Sequence, residues 1–110
     1  MEYEEVKIEI YLPINFVIPL RDALNEIGAC KVGNYDHCVS VTQVIGYWRP
    51  LTGSNPHNGK IGEISHGQEC KMEVRCKKDY VINAINTIKR IHPYEEPLYN
   101  IIPLVNHLYK

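Results

Sequence analysis

No apolar run in this sequence approaches the roughly 20 residues that a bilayer-spanning helix needs. Charge of one sign is not in excess either. The 12 basic and 13 acidic residues leave a formal charge of −1, so nothing favours a nucleic-acid or polybasic membrane contact. The start, Met1-Glu2-Tyr3-Glu4-Glu5, is acidic where a secretory signal would be basic and then apolar. A cytoplasmic protein is expected. No CxxC pair occurs, so Cys30, Cys38, Cys70 and Cys76 read as free thiols in a reducing compartment. The zinc motif HExxH, the phosphate cradle GxxxxGK[ST] and the nucleophile elbow GxSxG are all missing. Ser40, Ser54 and Ser65 have no partner base in the sequence, so nucleophilic catalysis has little support.

What is present is pattern. A length of 110 residues fits a single domain, 1–110, around one core. Residues 5–12 alternate, with Val6, Ile8, Ile10 and Leu12 on one side and Glu5, Lys7, Glu9 and Tyr11 on the other. Such period-two alternation reads as a half-buried strand, ended by Pro13. Val17, Leu20, Leu24 and Ile27 recur at helical spacing, with Asn15 as an N-cap, Pro19 in the first turn and Gly28 as the stop. Residues 37–48 form a second strand whose alternation slips at Gln43-Val44-Ile45, which suggests a bulge. Residues 49–65 are dense in Pro, Gly and Asn and make a long loop of the kind that often carries function. Residues 68–77 alternate again, with Cys70, Met72, Val74 and Cys76 inward. Asp79 caps a second helix striped by Val81, Ala84, Ile85 and Ile88, and Pro93 stops it. Residues 98–104 are a last strand, placed at an edge by Pro103.

The order β-α-β-β-α-β gives an α+β, ferredoxin-like sandwich. Its four-stranded antiparallel sheet runs 4-1-3-2 and carries both helices on one face. Glu5, Lys7 and Glu9 then lie beside Lys71, Glu73 and Arg75 on the other face and can pair across strands.

Three clusters could carry chemistry. His92-Pro93-Tyr94-Glu95-Glu96-Pro97 sets an imidazole, a phenol and two carboxylates on a segment stiffened by proline. Two carboxylates favour a cation, and the imidazole shifts preference toward zinc or copper over magnesium, with His92, Glu95 and Glu96 as the ligands. The competing reading, favoured by chemistry alone, has His92 closing the helix and the carboxylates anchoring the next turn. The second cluster is Gly33-Asn34-Tyr35-Asp36-His37-Cys38. Neighbours on a strand point to opposite faces, so His37 and Cys38 would rarely share an ion. The third is the loop with Trp48-Arg49-Pro50 and His57, where a lone tryptophan is more often a core or interface anchor than a stacking platform.

These motifs resemble the Nif-three-like family, homologues of a type 2 GTP cyclohydrolase I. Many bacterial members carry an insert of GxGxIGxYxxCxF, a GTFxP-like element, an NPxxGxxG loop, an ExRxE strand and an HPYEExAYDxxPL ending. The matching stretches here are Gly28 to Cys38, Gly46-Tyr47-Trp48-Arg49-Pro50, Asn55 to Gly62, Glu69 to Glu73, and His92 to Leu104. Cys30 stands at the second glycine of the first motif, and Asn100 at the acid of the last. The resemblance implies the fold of CutA and the PII signalling proteins, hence a homo-oligomer with a trimer ahead of a dimer. The family's dinuclear metal ligands belong to flanking halves that these residues do not match, so hydrolase activity is not carried over. The expectation is a binding or regulatory module for a metal ion or small molecule, needing no fixed cofactor. A purely structural protein, or a small enzyme built on the His92–Glu96 cluster, is the alternative.

Overall fold

The computed structural model describes residues 2–110. Strands β1 (Glu5–Leu12), β2 (Ser40–Trp48), β3 (Ser65–Lys77) and β4 (Leu98–Leu104) alternate with helices α1 (Val17–Glu26) and α2 (Val81–Ile91). They form one antiparallel sheet in the order β2-β3-β1-β4, which is the expected order read from the other edge. All pairings are antiparallel because each helix carries the chain past a neighbouring strand position before it returns.

The alternation of β1 and β3 decides the two faces. Val6, Ile8, Ile10 and Leu12 are fully buried with Cys70, Met72, Val74 and Cys76, beneath Leu20, Leu24, Ala84 and Ile88 of the helices. Burying an aliphatic side chain of this size contributes roughly 1.5–3 kcal/mol. The opposite, open face carries Lys7, whose Nζ lies 2.9 Å from Glu73 and 3.5 Å from Glu9. Cross-strand charge pairing is therefore present. All four cysteines are free thiols, and burial pushes Cys30 up to about 12 and Cys76 up to about 11, which keeps both protonated.

Four local expectations are corrected. The β2–β3 register is unbroken from Ser40↔Glu73 to Trp48↔Ser65, so no bulge interrupts it. The slip in hydrophobicity marks a strand whose two faces are both largely exposed. That strand begins at Ser40, because His37 adopts a left-handed φ of 56°. Asn15 and Asp79 do not cap their helices. Each lies inside a 3-10 turn, Ile14–Phe16 or Lys78–Tyr80, that leads directly into the helix. Gly28 does end α1, at φ 103°, where a Cβ would meet the Tyr80 ring at 2.9 Å. Among the described residues no helix is long and apolar enough to cross a membrane.

Candidate functional site

β1 stops at Leu12, opposite Cys70. Beyond that point β2 and β3 continue alone as a two-stranded ribbon, Val44–Trp48 against Ser65–Glu69. The loop of residues 49–64 joins its strands and folds back over the open face. There it meets the turn between α2 and β4. Together they form a half-open cavity of about 420 Å³, within the size range of small-molecule pockets. Its walls are mostly apolar, built by Tyr11, Trp48, Pro50, Leu51, Pro56 and Leu98.

The loop is tied down at both margins. Trp48 Nε1 donates to the Asn58 carbonyl at 3.1 Å, and the Gly62 N–H donates to the Pro50 carbonyl at 2.8 Å. Both carboxylate oxygens of Glu95 accept the Asn55 N–H at 3.0 Å, which joins the loop to the α2–β4 turn. Ser54 Oγ, in the cavity wall, is shut off from solvent with no hydrogen-bond partner.

Glu69 supplies the inner charge. The Tyr94 hydroxyl donates to its Oε2 at 3.2 Å. Burial first, then the Glu69 charge, raises the Tyr94 phenol to about 12, so it stays a donor at neutral pH. Gly46 lies directly against the carboxylate: a Cβ there would sit 2.9 Å from Glu69 Cδ. A glycine inside a strand often marks such a close approach.

His92 is buried and holds the turn in place. Its Nδ1 accepts the Tyr94 N–H at 3.2 Å, and its Nε2 faces the Tyr11 carbonyl. An N–H on Nε2 satisfies both contacts, which selects the tautomer. Burial pulls its pKa below the usual value, against the pull of the Tyr11 carbonyl and Glu69. Its ring lies 4.7 Å from Tyr94, and the Tyr94 ring lies 5.7 Å from His57.

The structure thus brings Trp48, Arg49, His57, Tyr94, Glu95 and Glu96 to one cavity, with His92 bracing its floor. Tyr35 and His37 are elsewhere. Their loop is pinned by Cys30 N–H to the Arg75 carbonyl, at the opposite end of β3, and the His37 N–H donates to Asn25. Nor do His92, Glu95 and Glu96 converge as ligands. Both imidazole nitrogens of His92 face internal partners, and Glu95 holds the loop. Among the described residues no group of three or more His, Cys, Asp or Glu could hold a metal ion.

Sequence reasoning missed Tyr11, Gly46, Glu69 and Leu98 as site residues. Their parity was legible, since Tyr11 and Glu69 sit on the outward side of their strands. What places them together is the register Tyr11↔Leu98 and the overhang of the ribbon. The arrangement offers a half-buried carboxylate, a phenolic donor and aromatic walls, a set suited to holding a small molecule.

No family model matches the chain. The "GTP cyclohydrolase 1 type 2 homolog" of Bacillus subtilis is 35% identical over 98 residues, covering 89% of this chain and 26% of that protein. Its namesake in Halalkalibacterium halodurans is 32% identical over 100 residues, covering 91% and 27%. The chain therefore spans about a quarter of the length of the curated relatives it matches. Among solved structures, a Bacillus cereus protein related to NIF3 superposes with a TM-score of 0.79 at 27% identity, over 93% of this chain and 26% of that one. The divalent ion tolerance protein CutA1 of Ehrlichia chaffeensis superposes at 0.70 and 18% identity, over 96% and 86%, which shows the fold alone. Sequence and fold together make this chain a homologue of one quarter-length segment of the Nif3-like GTP cyclohydrolase 1 type 2 homologues, with the α+β fold of the CutA proteins.

Proposed function

We propose that the chain is a non-catalytic binding and regulatory module that takes a small molecule in the cavity under the 49–64 loop and works as a homo-oligomer. The observation that carries this reading is the half-open cavity itself, walled by aromatic and apolar side chains around a few convergent polar groups. Its loop is latched through Glu95, so occupancy can be reported through the position of residues 49–64. Self-association is supported by the ribbon. Ile45 and Tyr47 point to the side that the helices cover elsewhere, but they are 61% and 71% exposed. A trimer is put ahead of a dimer. The names of the relatives mention GTP cyclohydrolase, but the match is to a quarter of those proteins, and hydrolysis is not part of this proposal.

Trp48 is the chain's one tryptophan and lines the cavity. Titration with nucleotides, amino acids, amines and divalent metal salts, followed by Trp48 emission and by the unfolding midpoint, tests the reading. At least one organic class should give a saturable shift and a higher midpoint, because a ligand bound to the folded state adds stability by mass action. Silence from every organic class in both readouts, or a monomer in light scattering at micromolar concentration, refutes the corresponding half of the proposal.

A further inference from the structure

We propose that the cavity selects an organic cation, an ammonium or guanidinium compound whose charged head meets Glu69 while its apolar body lies against Trp48, Tyr11 and Tyr94. This rests on the cavity's being a small-molecule site.

The charges in the lining are uneven. Glu69, Glu95 and Glu96 face the single guanidinium of Arg49. Arg49 and Glu96 are exposed, and Glu95 is engaged with the loop backbone. Glu69 is the half-buried one, set among the aromatic walls. An ionised carboxylate can accept about four hydrogen bonds, and Tyr94 supplies one. A half-buried carboxylate beside apolar walls, with one protein donor, keeps acceptor capacity that a positive group can fill. Gly46 shows that the position is built, because any larger residue at 46 would push the carboxylate aside.

The aromatic content points the same way. Tyr11, Trp48, His57 and Tyr94 line the cavity. Aromatic faces attract cations, most strongly where water is excluded. A bare metal ion fits poorly, since it needs several convergent ligands and none converge among the described residues. An anion fits poorly too. No residue of α1 or α2 reaches the cavity to offer helix-terminal N–H groups, and the only guanidinium is at the rim.

Choline and agmatine are the cationic probes, with dimethylbutanol, the neutral carbon isostere of choline, and ATP as comparisons. Trp48 emission should respond saturably to at least one cation, with dimethylbutanol weaker by about tenfold or more. Glu69→Gln should abolish that preference while circular dichroism stays unchanged. Gly46→Ala, which displaces the carboxylate without removing it, should do the same and covers the case of a misfolded first variant. Equal binding of choline and dimethylbutanol, or a preference that survives in Glu69→Gln, overturns the inference. If ATP or dimethylbutanol binds and the cations do not, the cation reading falls and the small-molecule reading stands. If no probe binds, and the wider panel of organic classes is silent as well, both fall.

Discussion

The two ends of the sheet are built on different principles. From Cys70 to Lys77 β3 is paired to β1, with β4 beyond it, under two helices, and every inward side chain of β1 is buried. Near Ser65 the sheet narrows to two strands with no helix above, and a loop rather than a layer closes it. The first end holds its shape through apolar burial. The second holds it through a few hydrogen bonds between the loop, Trp48 and Glu95. The contrast teaches that stability and recognition can be assigned to separate halves of one small sheet. The less stable half is then the one free to respond to a ligand.

The sharpest test is to damage the helix-covered end. Ile10→Ala empties a fully buried position and should cost about 2–5 kcal/mol, read as a lower urea midpoint at unchanged slope. A loss as large from a substitution in the loop would break the comparison.

His92→Ala comes next, because this residue joins the two ends through Tyr11 and Tyr94. Leaving the Tyr94 N–H and the Tyr11 carbonyl without their partner should cost on the order of 1–3 kcal/mol. The same ring gives a pH signature. Its folded-state pKa lies below the unfolded value of 6.5, chiefly through burial, so the unfolded chain takes up the proton first. The stability it contributes is complete above pH 6.5 and is lost as pH falls from there through the folded pKa. Wild type should therefore lose more stability than His92→Gln between neutral and mildly acidic pH, measured as the difference in urea midpoints.

A smaller global effect is expected from Glu95→Gln, about 1 kcal/mol or less, since the group is exposed. Its signature is local. Amide exchange of residues 50–60 should quicken several-fold while that of β1 and β3 stays as it was. Uniform quickening would mean that the two ends unfold as one unit. Smallest of all is Lys7→Ala. Its pairs with Glu73 and Glu9 lie on the open face in contact with water, and the urea midpoint should stay within measurement error at moderate salt.

The sequence was readable where one physical rule dominated. Strict alternation marked β1 and β3, and with the helical stripes it was enough for the sheet order. Val17, Leu20 and Leu24 are buried in α1, and Ala84 and Ile88 in α2, as their spacing implied. Pro103 does lie on an edge strand. Reading failed where two rules competed. Asn15 and Asp79 are good caps by composition, but a 3-10 lead-in displaced both. The site was half legible. Proline and carboxylate density drew attention to Tyr94 and Glu95, and turn density to residues 49–65. Glu69 and Gly46 stayed hidden, because their meeting depends on register, which no local pattern encodes. His92 looked like a ligand by its neighbours in sequence. Only its burial shows that both nitrogens face the protein's own backbone.

β3 runs for 13 residues through both ends of the sheet, and its pairings fix them together. A slip of one residue against β1 would turn Met72 and Val74 to water and bring Lys71 and Glu73 under the helices. The same slip would rotate Glu69 to the far face, away from Tyr94 and Gly46. A misaligned chain is thus disqualified twice, once by its core and once by its cavity. The strand acts as its own proofreader, and any molecule that reaches the Glu69 carboxylate beside Tyr94 has met a correctly threaded copy.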